Sequence, residues 1–161
     1  MTRFKLLAFI ALITLAFGVA LVADALAGEK VKVVRRDANH MTTFQSVKVG
    51  DVEGHNLYLF EAKGITFDEK WGVGLDAVTG TMDDMNGEST GVGYDTFTFP
   101  DGSTFTARWE GKGGPSGSQG TWTCIKGTGK FAGMQGHGTW KTSNVGPGQF
   151  VGDDEGEYTL P

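Results

Sequence analysis

The chain has 161 residues, a formal net charge of −5, 26 glycines and one cysteine. That acidic balance offers no electrostatic footprint for nucleic acid or for an anionic membrane surface. The lone Cys124 excludes a disulfide framework, and the length suits one domain around one core.

Residues 1–27 read as a secretory signal peptide. Arg3 and Lys5 precede the uninterrupted apolar run Leu6 to Val22, and Ala25-Leu26-Ala27 supplies the small-x-small cleavage pattern. The expected mature chain is therefore residues 28–161, secreted or periplasmic, with no membrane attachment once the leader is removed. Losing Arg3, Lys5 and Asp24 takes its net charge to −6.

Beyond the leader, short runs of Val, Thr, Phe, Tyr and Trp alternate with glycine-bearing turns, the pattern of an all-β barrel or sandwich. Strands are expected near Lys30–Arg36, Thr42–Val49, Asn56–Lys63, Gly74–Met82, Gly91–Phe99, Ser103–Gly111, Gly120–Lys126, Gly136–Thr142 and Gly156–Leu160. By composition "GGPSGSQG", Gly113 to Gly120, reads as a flexible loop, and "NVGPGQ", Asn144 to Gln149, as a second break. "GDDEGE", Gly152 to Glu157, reads as a solvated acidic turn. A single antiparallel β-barrel of about eight strands is the expected fold, because closure removes the sheet edges that aromatic strands would otherwise expose. An immunoglobulin-like sandwich is the alternative.

One hairpin is legible in register. In "YDTFTFPDGSTFTARWEG" the turn Pro100-Asp101-Gly102 sets Phe97 opposite Phe105, Asp95 opposite Ala107 and Gly93 opposite Trp109. One face then carries Phe97, Phe99, Phe105, Ala107 and Trp109, and the other carries threonines and charges. A slip of one residue would scramble that separation.

"GTGKFAGMQGHGTW", Gly127 to Trp140, raises the question of a phosphate cradle. A dinucleotide fingerprint needs its third glycine one residue earlier than Gly133. A Walker loop needs glycine where Cys124 stands and Ser or Thr where Phe131 stands. The stretch instead reads as a corner, with Phe131 available to plug the space beneath it. "KGTGKFAGMQGHGTW" also resembles the G-T-G-K/R-F-x-G-x-x-G segment of allene oxide cyclase and dirigent-like proteins, and "GEYTLP" resembles their closing strand. The resemblance covers roughly Gly54 to Pro161. It implies an eight-stranded antiparallel barrel, lipocalin-like in shape, with a central pocket and association into homo-oligomers, trimers in particular. The carboxylates those enzymes use have no residue-by-residue match here, so no activity is carried over.

Metal and nucleophile motifs are absent from the sequence. His40, His55 and His137 are scattered, and in "MDDMNGE" Met82 and Gly93 stand where a calcium loop needs its first and last ligands. No metal and no cofactor are expected, and no G-x-S-x-G occurs. Two acids share parity with apolar neighbours instead: Asp95 with Phe97 and Phe99, and Glu61 with Leu57 and Leu59. A carboxyl on a lumen wall is desolvated, its pKa rises, and it becomes usable as an acid or base near neutral pH. Three functions fit this pattern. The first is binding of a small apolar molecule in a pocket lined by Phe97, Phe105, Trp109 and Trp122. The second is a cyclase or isomerase using Asp95 or Glu61. The third is an assembly barrel filled by its own side chains.

Overall fold

The computed structural model describes residues 29–161, and the leader expected over residues 1–27 lies outside the described residues. Eight antiparallel strands close into one barrel, each paired to its neighbour in chain order and the last to the first. They are β1 (Glu29–Lys48), β2 (His55–Asp68), β3 (Gly72–Met85), β4 (Glu88–Thr98), β5 (Thr104–Gly114), β6 (Gly117–Gly127), β7 (Gln135–Gly146) and β8 (Gln149–Leu160).

The first two expected strands are one. β1 pairs with β8 from Glu29 to His40 and with β2 from Arg35 to Lys48, so its middle serves both neighbours and closes the cylinder. A shift of register between Met41 and Thr43 bends the strand where the two pairings part. Two other expectations also change. "GGPSGSQG" is strand on both sides of a tight turn at Pro115 and Ser116. "GDDEGE" lies within β8, where Gly152 and Asp154 face inward and Asp153 and Glu155 face out. Ladder hydrogen bonds outweigh the turn propensity of such residues.

The β4–β5 hairpin has the register read from its sequence, with Phe97 opposite Phe105 and Gly93 opposite Trp109. Its turn is closed by Gly102 N donating to Phe99 O at 2.9 Å. Below it, the connection from β6 to β7 forms a short 3-10 turn, Gly129–Phe131, that folds under the barrel. Lys130 N donates to Ser103 Oγ, and Lys130 Nζ pairs with Asp101. At Gly129 φ is +56° and a side chain would strike Ser103, so only glycine allows this close approach. The turn delivers Phe131 into the barrel at 0 % exposure, against Phe99, Phe105 and Trp71 with ring centroids 5.1–5.2 Å apart. "GTGKFAGMQGHGTW" is thus the floor of the barrel.

Many of the inward glycines have a common reason. A Cβ at Gly80 or Gly93 would collide with the Trp109 indole, one at Gly111 with Trp140, one at Gly138 or Gly156 with Trp122, and one at Gly136 with Tyr158. Each large ring lies flat over bare backbone of the adjoining strands. The recurrence of "GTW" at Gly120 and Gly138 reflects the same alternation on β6 and β7, whose inward positions carry glycine and then tryptophan.

Candidate functional site

The lumen is divided by one charged layer. Inward positions on β1 run Val31, Val33, Arg35, Asp37, Asn39, changing from apolar to polar halfway along the strand. Below that change the barrel is packed by Phe97, Phe99, Phe105, Trp122, Phe131 and Tyr158, all buried. Above it opens a cavity of about 330 Å³, walled by Phe60, Val78, Met82, Trp109, Trp140 and Phe150. Asp37, Asn39, Asp95 and Asp154 line it at depth, and Asp84, Lys112 and Lys141 line it nearer the upper turns.

Arg35 anchors the layer. It is 2 % exposed, and its Nε and Nη2 both donate to Asp154 Oδ2, at 2.9 and 2.5 Å. Nη1 donates to the Tyr158 hydroxyl at 2.6 Å, and the guanidinium carbon stands 3.9 Å from the centre of the Phe97 ring. Burial works against its charge, but Asp154 and Tyr158 hold its pKa above the usual range, so it stays protonated. Asn39 spends both hydrogens of its amide on carboxylates, reaching Asp76 at 2.7 Å and Asp37 at 3.1 Å. Bare backbone makes room for these groups. A Cβ at Gly64 would strike the Asn39 amide oxygen, and one at Gly152 would crowd Asp37.

Four carboxyls, those of Asp37, Asp76, Asp95 and Asp154, therefore share the neighbourhood of one guanidinium. They cannot all ionise cheaply. Burial first, then repulsion from Asp154 and Asp76, pushes Asp37 up to about 7. Burial pushes Asp76 up to about 6 against the opposing Asn39 hydrogen bond. Asp95 is driven well above the ordinary carboxylate range by burial and then by Asp76, Asp154 and Asp37. Its protonated form is favoured accordingly. Asp95 lines the cavity, and its buried Oδ1 has no hydrogen-bond partner. Asn39 Oδ1 and Trp109 Nε1 are also buried and unpartnered, on residues only 5 % and 8 % exposed.

The residues singled out from sequence separate in the fold. Asp95 and Trp109 line the cavity. Phe97, Phe105 and Trp122 do not: they belong to the sealed lower half, where Phe131 and Tyr158 fill the space between them. Glu61 leaves the site altogether. It is exposed on the outer wall, where Thr43 Oγ1 donates to its carboxylate at 3.0 Å, because Phe60 and Ala62 occupy the inward parity of β2. Cys124 is half-buried, and burial pushes its thiol up, away from reactivity.

Arg35, Asp37, Asn39, Asp76 and Asp154 were not found from sequence. Their signal was parity. Arg35, Asp37 and Asn39 continue the row begun by Val31 and Val33, Asp76 stands between Gly74 and Val78, and Asp154 stands between Gly152 and Gly156. A charged residue inside an apolar row is the mark of a lumen acid.

No protein-family model and no curated protein sequence matches the chain. Solved structures do. The pterocarpan synthase dirigent protein GePTS1 is similar over 84 % of this chain and 93 % of its own, at 14 % identity and a TM-score of 0.51. AbnU, described as an exo-specific intermolecular Diels-Alderase, aligns over 81 % of this chain and 99 % of its own, at 12 % identity and a TM-score of 0.35. The likeness to the dirigent protein is one of fold.

Proposed function

We propose that this protein is an exported barrel that takes a small, largely apolar molecule into the open half of its lumen and acts on it by proton transfer, as a cyclase or isomerase does. One observation carries the reading. Asp95, half-buried and with its Oδ1 lacking a hydrogen-bond partner, lines a cavity walled by aromatic rings and backed by further acids whose pKa values lie near neutrality. Polar groups left unsatisfied within a ready-made apolar cavity are what a ligand supplies partners for.

The roles follow from the protonation states. Protonated Asp95 donates to a basic atom of the bound molecule, and Asp37, poised near 7, accepts a proton elsewhere on it. The sum of the two transfers is a rearrangement, which consumes no redox equivalent. Trp109 Nε1, also without a partner, is placed to orient an oxygen on the substrate.

The outer wall supports association with further copies. Ile65 on β2 pairs with Leu75 on β3 and Phe67 with Val73, and all four are exposed, as are Leu57 and Leu59 on β2 and Val92 and Tyr94 on β4. A trimer built through this wall accounts for them.

Fluorescence of the neutral dye N-phenyl-1-naphthylamine tests the pocket. Saturable binding that Gly93→Leu abolishes is the expected result, and a folded barrel that leaves the dye in water rejects the reading. Mass spectrometry of what co-purifies with the protein then supplies the substrate. With it in hand, Asp95→Asn separates roles: lost turnover at unchanged affinity marks catalysis, and unchanged turnover marks a binder alone.

A further inference from the structure

We propose that the molecule taken up by the lumen is an organic cation, an amine with an apolar body whose ammonium group seats beside Asp37, Asp95 and Asp154. The inference rests on the reading that the open half binds a small molecule, and it names the chemical class.

The first argument is charge. Arg35 is the only buried basic side chain among the described residues, and its donors are already committed to Asp154 and Tyr158. Asp37, Asp76 and Asp95 are left with no cation of their own. An ion of opposite sign brought in with a ligand would fill that deficit.

The second argument is hydrogen-bond inventory. Asn39 has used both amide hydrogens, and the cavity-lining groups left with an unpartnered atom are Asn39 and Asp95, through Oδ1 of each, and Trp109, through its Nε1 donor. Acceptors outnumber donors. A primary ammonium carries three donors and no acceptor, which suits the two oxygens, whereas an alcohol brings one donor and an acceptor of its own.

The third argument is the wall. Phe60, Trp109 and Trp140 surround the approach to the carboxyls, with Phe60 and Trp109 rings 6.1 Å apart and Trp109 and Trp140 rings 5.8 Å apart. Ring faces attract a desolvated cation, as Phe97 does for Arg35 in the layer below. A metal ion fits less well, since no group of three or more His, Cys, Asp or Glu side chains among the described residues is placed to hold one.

Proton linkage gives the inference a signature. Asp37 on β1 is faced by Arg35 on its own strand, Asp154 on β8, Asp76 on β3 and Asp95 on β4, with Tyr158 on β8 beyond Arg35. Tyr58 comes from β2, and Asp84, Lys112 and Lys141 line the upper cavity. With Asp37 held near 7, an arriving ammonium drives protons off this group, so binding releases protons and strengthens as pH rises. A neutral ligand that covers Asp37 favours the protonated acid instead, so its binding does not strengthen as pH rises.

Displacement of N-phenyl-1-naphthylamine by 4-phenylbutylamine and by 4-phenylbutan-1-ol is the test. At pH 7.5 the amine is expected to bind at least about tenfold more tightly than the alcohol. That preference is expected to shrink toward pH 5 and in Asp37→Asn. Equal affinities, a tighter alcohol, or amine binding that does not strengthen with pH overturns the inference while leaving the pocket reading intact. Displacement by calcium or zinc chloride in place of the amine overturns it in favour of a metal. If the dye itself never binds, the pocket reading falls and takes the inference with it. The amine–alcohol comparison on the unaltered protein stands even where a variant fails to fold.

Discussion

The lower and upper halves of this barrel are made from the same strands, with the same alternation of ring and glycine, yet one is full and the other hollow. Below Arg35, rings arrive from several sides at once: Phe97, Phe99 and Phe105 from the β4–β5 hairpin, Trp122 from β6, Tyr158 from β8 and Phe131 from beneath. Above it, Gly80, Gly91, Gly93 and Gly111 hold inward positions, with Trp109 against the first three and Trp140 against Gly111. The cavity owes its room to missing side chains. It ends on a layer where one guanidinium is shared among four carboxyls, so the hollow half terminates in acid and the filled half in hydrocarbon.

The sharpest way to break this contrast is to empty the filled half. Phe131→Ala is expected to cost about 3–5 kcal/mol, measured by urea denaturation, because a fully buried ring contacting Phe99, Phe105 and Trp71 leaves a cavity behind. A change below about 1 kcal/mol would mean the floor collapses to refill the space. Filling the hollow half is the converse. In Gly93→Ala the added methyl meets both the Trp109 indole and the Thr79 carbonyl. About 1–3 kcal/mol of stability should be lost and dye binding weakened together. Weakened binding at full stability would show instead that the indole swings freely into the cavity.

The acid layer makes its own prediction, with a definite sign. Asp37, Asp76 and Asp95 keep protons in the folded barrel above the pH at which the unfolded chain gives them up. The folded state therefore binds more protons, and the stability contributed by this layer falls as pH rises from about 4 through 7 and beyond. Asp95→Asn imitates the protonated acid. Its melting temperature is expected to match the unaltered protein at pH 5 and to exceed it by about 3–5 °C at pH 8, followed by circular dichroism. A variant that melts lower at both pH values would show the carboxylate itself to be required. The smallest effect belongs to the outer wall: Glu61→Gln should change stability by less than about 0.5 kcal/mol and leave dye binding unaltered.

How much of this was legible beforehand depends on the distance over which a residue finds its partner. The β4–β5 hairpin was readable residue by residue because its turn and both alternating rows lie within one short stretch. Asp95 stood out for the same reason. Phe131 was recognisable as a plug, but what it plugs comes from β2 to β5 and had to be assembled. The pocket was placed too low because Phe97, Phe105 and Trp122 look alike whether a lumen is empty or filled, and only the arrival of Tyr158 and Phe131 decides between them. Glu61 misled because β2 has apolar residues on both parities, Leu57 and Leu59 outside and Phe60 and Ala62 inside.

The order of residues by itself determined that this chain makes strands, where most of them turn, and that the glycine-rich stretch is a corner and no phosphate site, since alternation and turn chemistry act between near neighbours. Tertiary structure alone decided that Arg35 meets Asp154 across 119 positions, that four acids converge on it, and that the lumen is sealed on one side of that layer and hollow on the other. Those outcomes depend on closure of the sheet, which brings β1 against β8 and sets the level at which each inward side chain meets the rest.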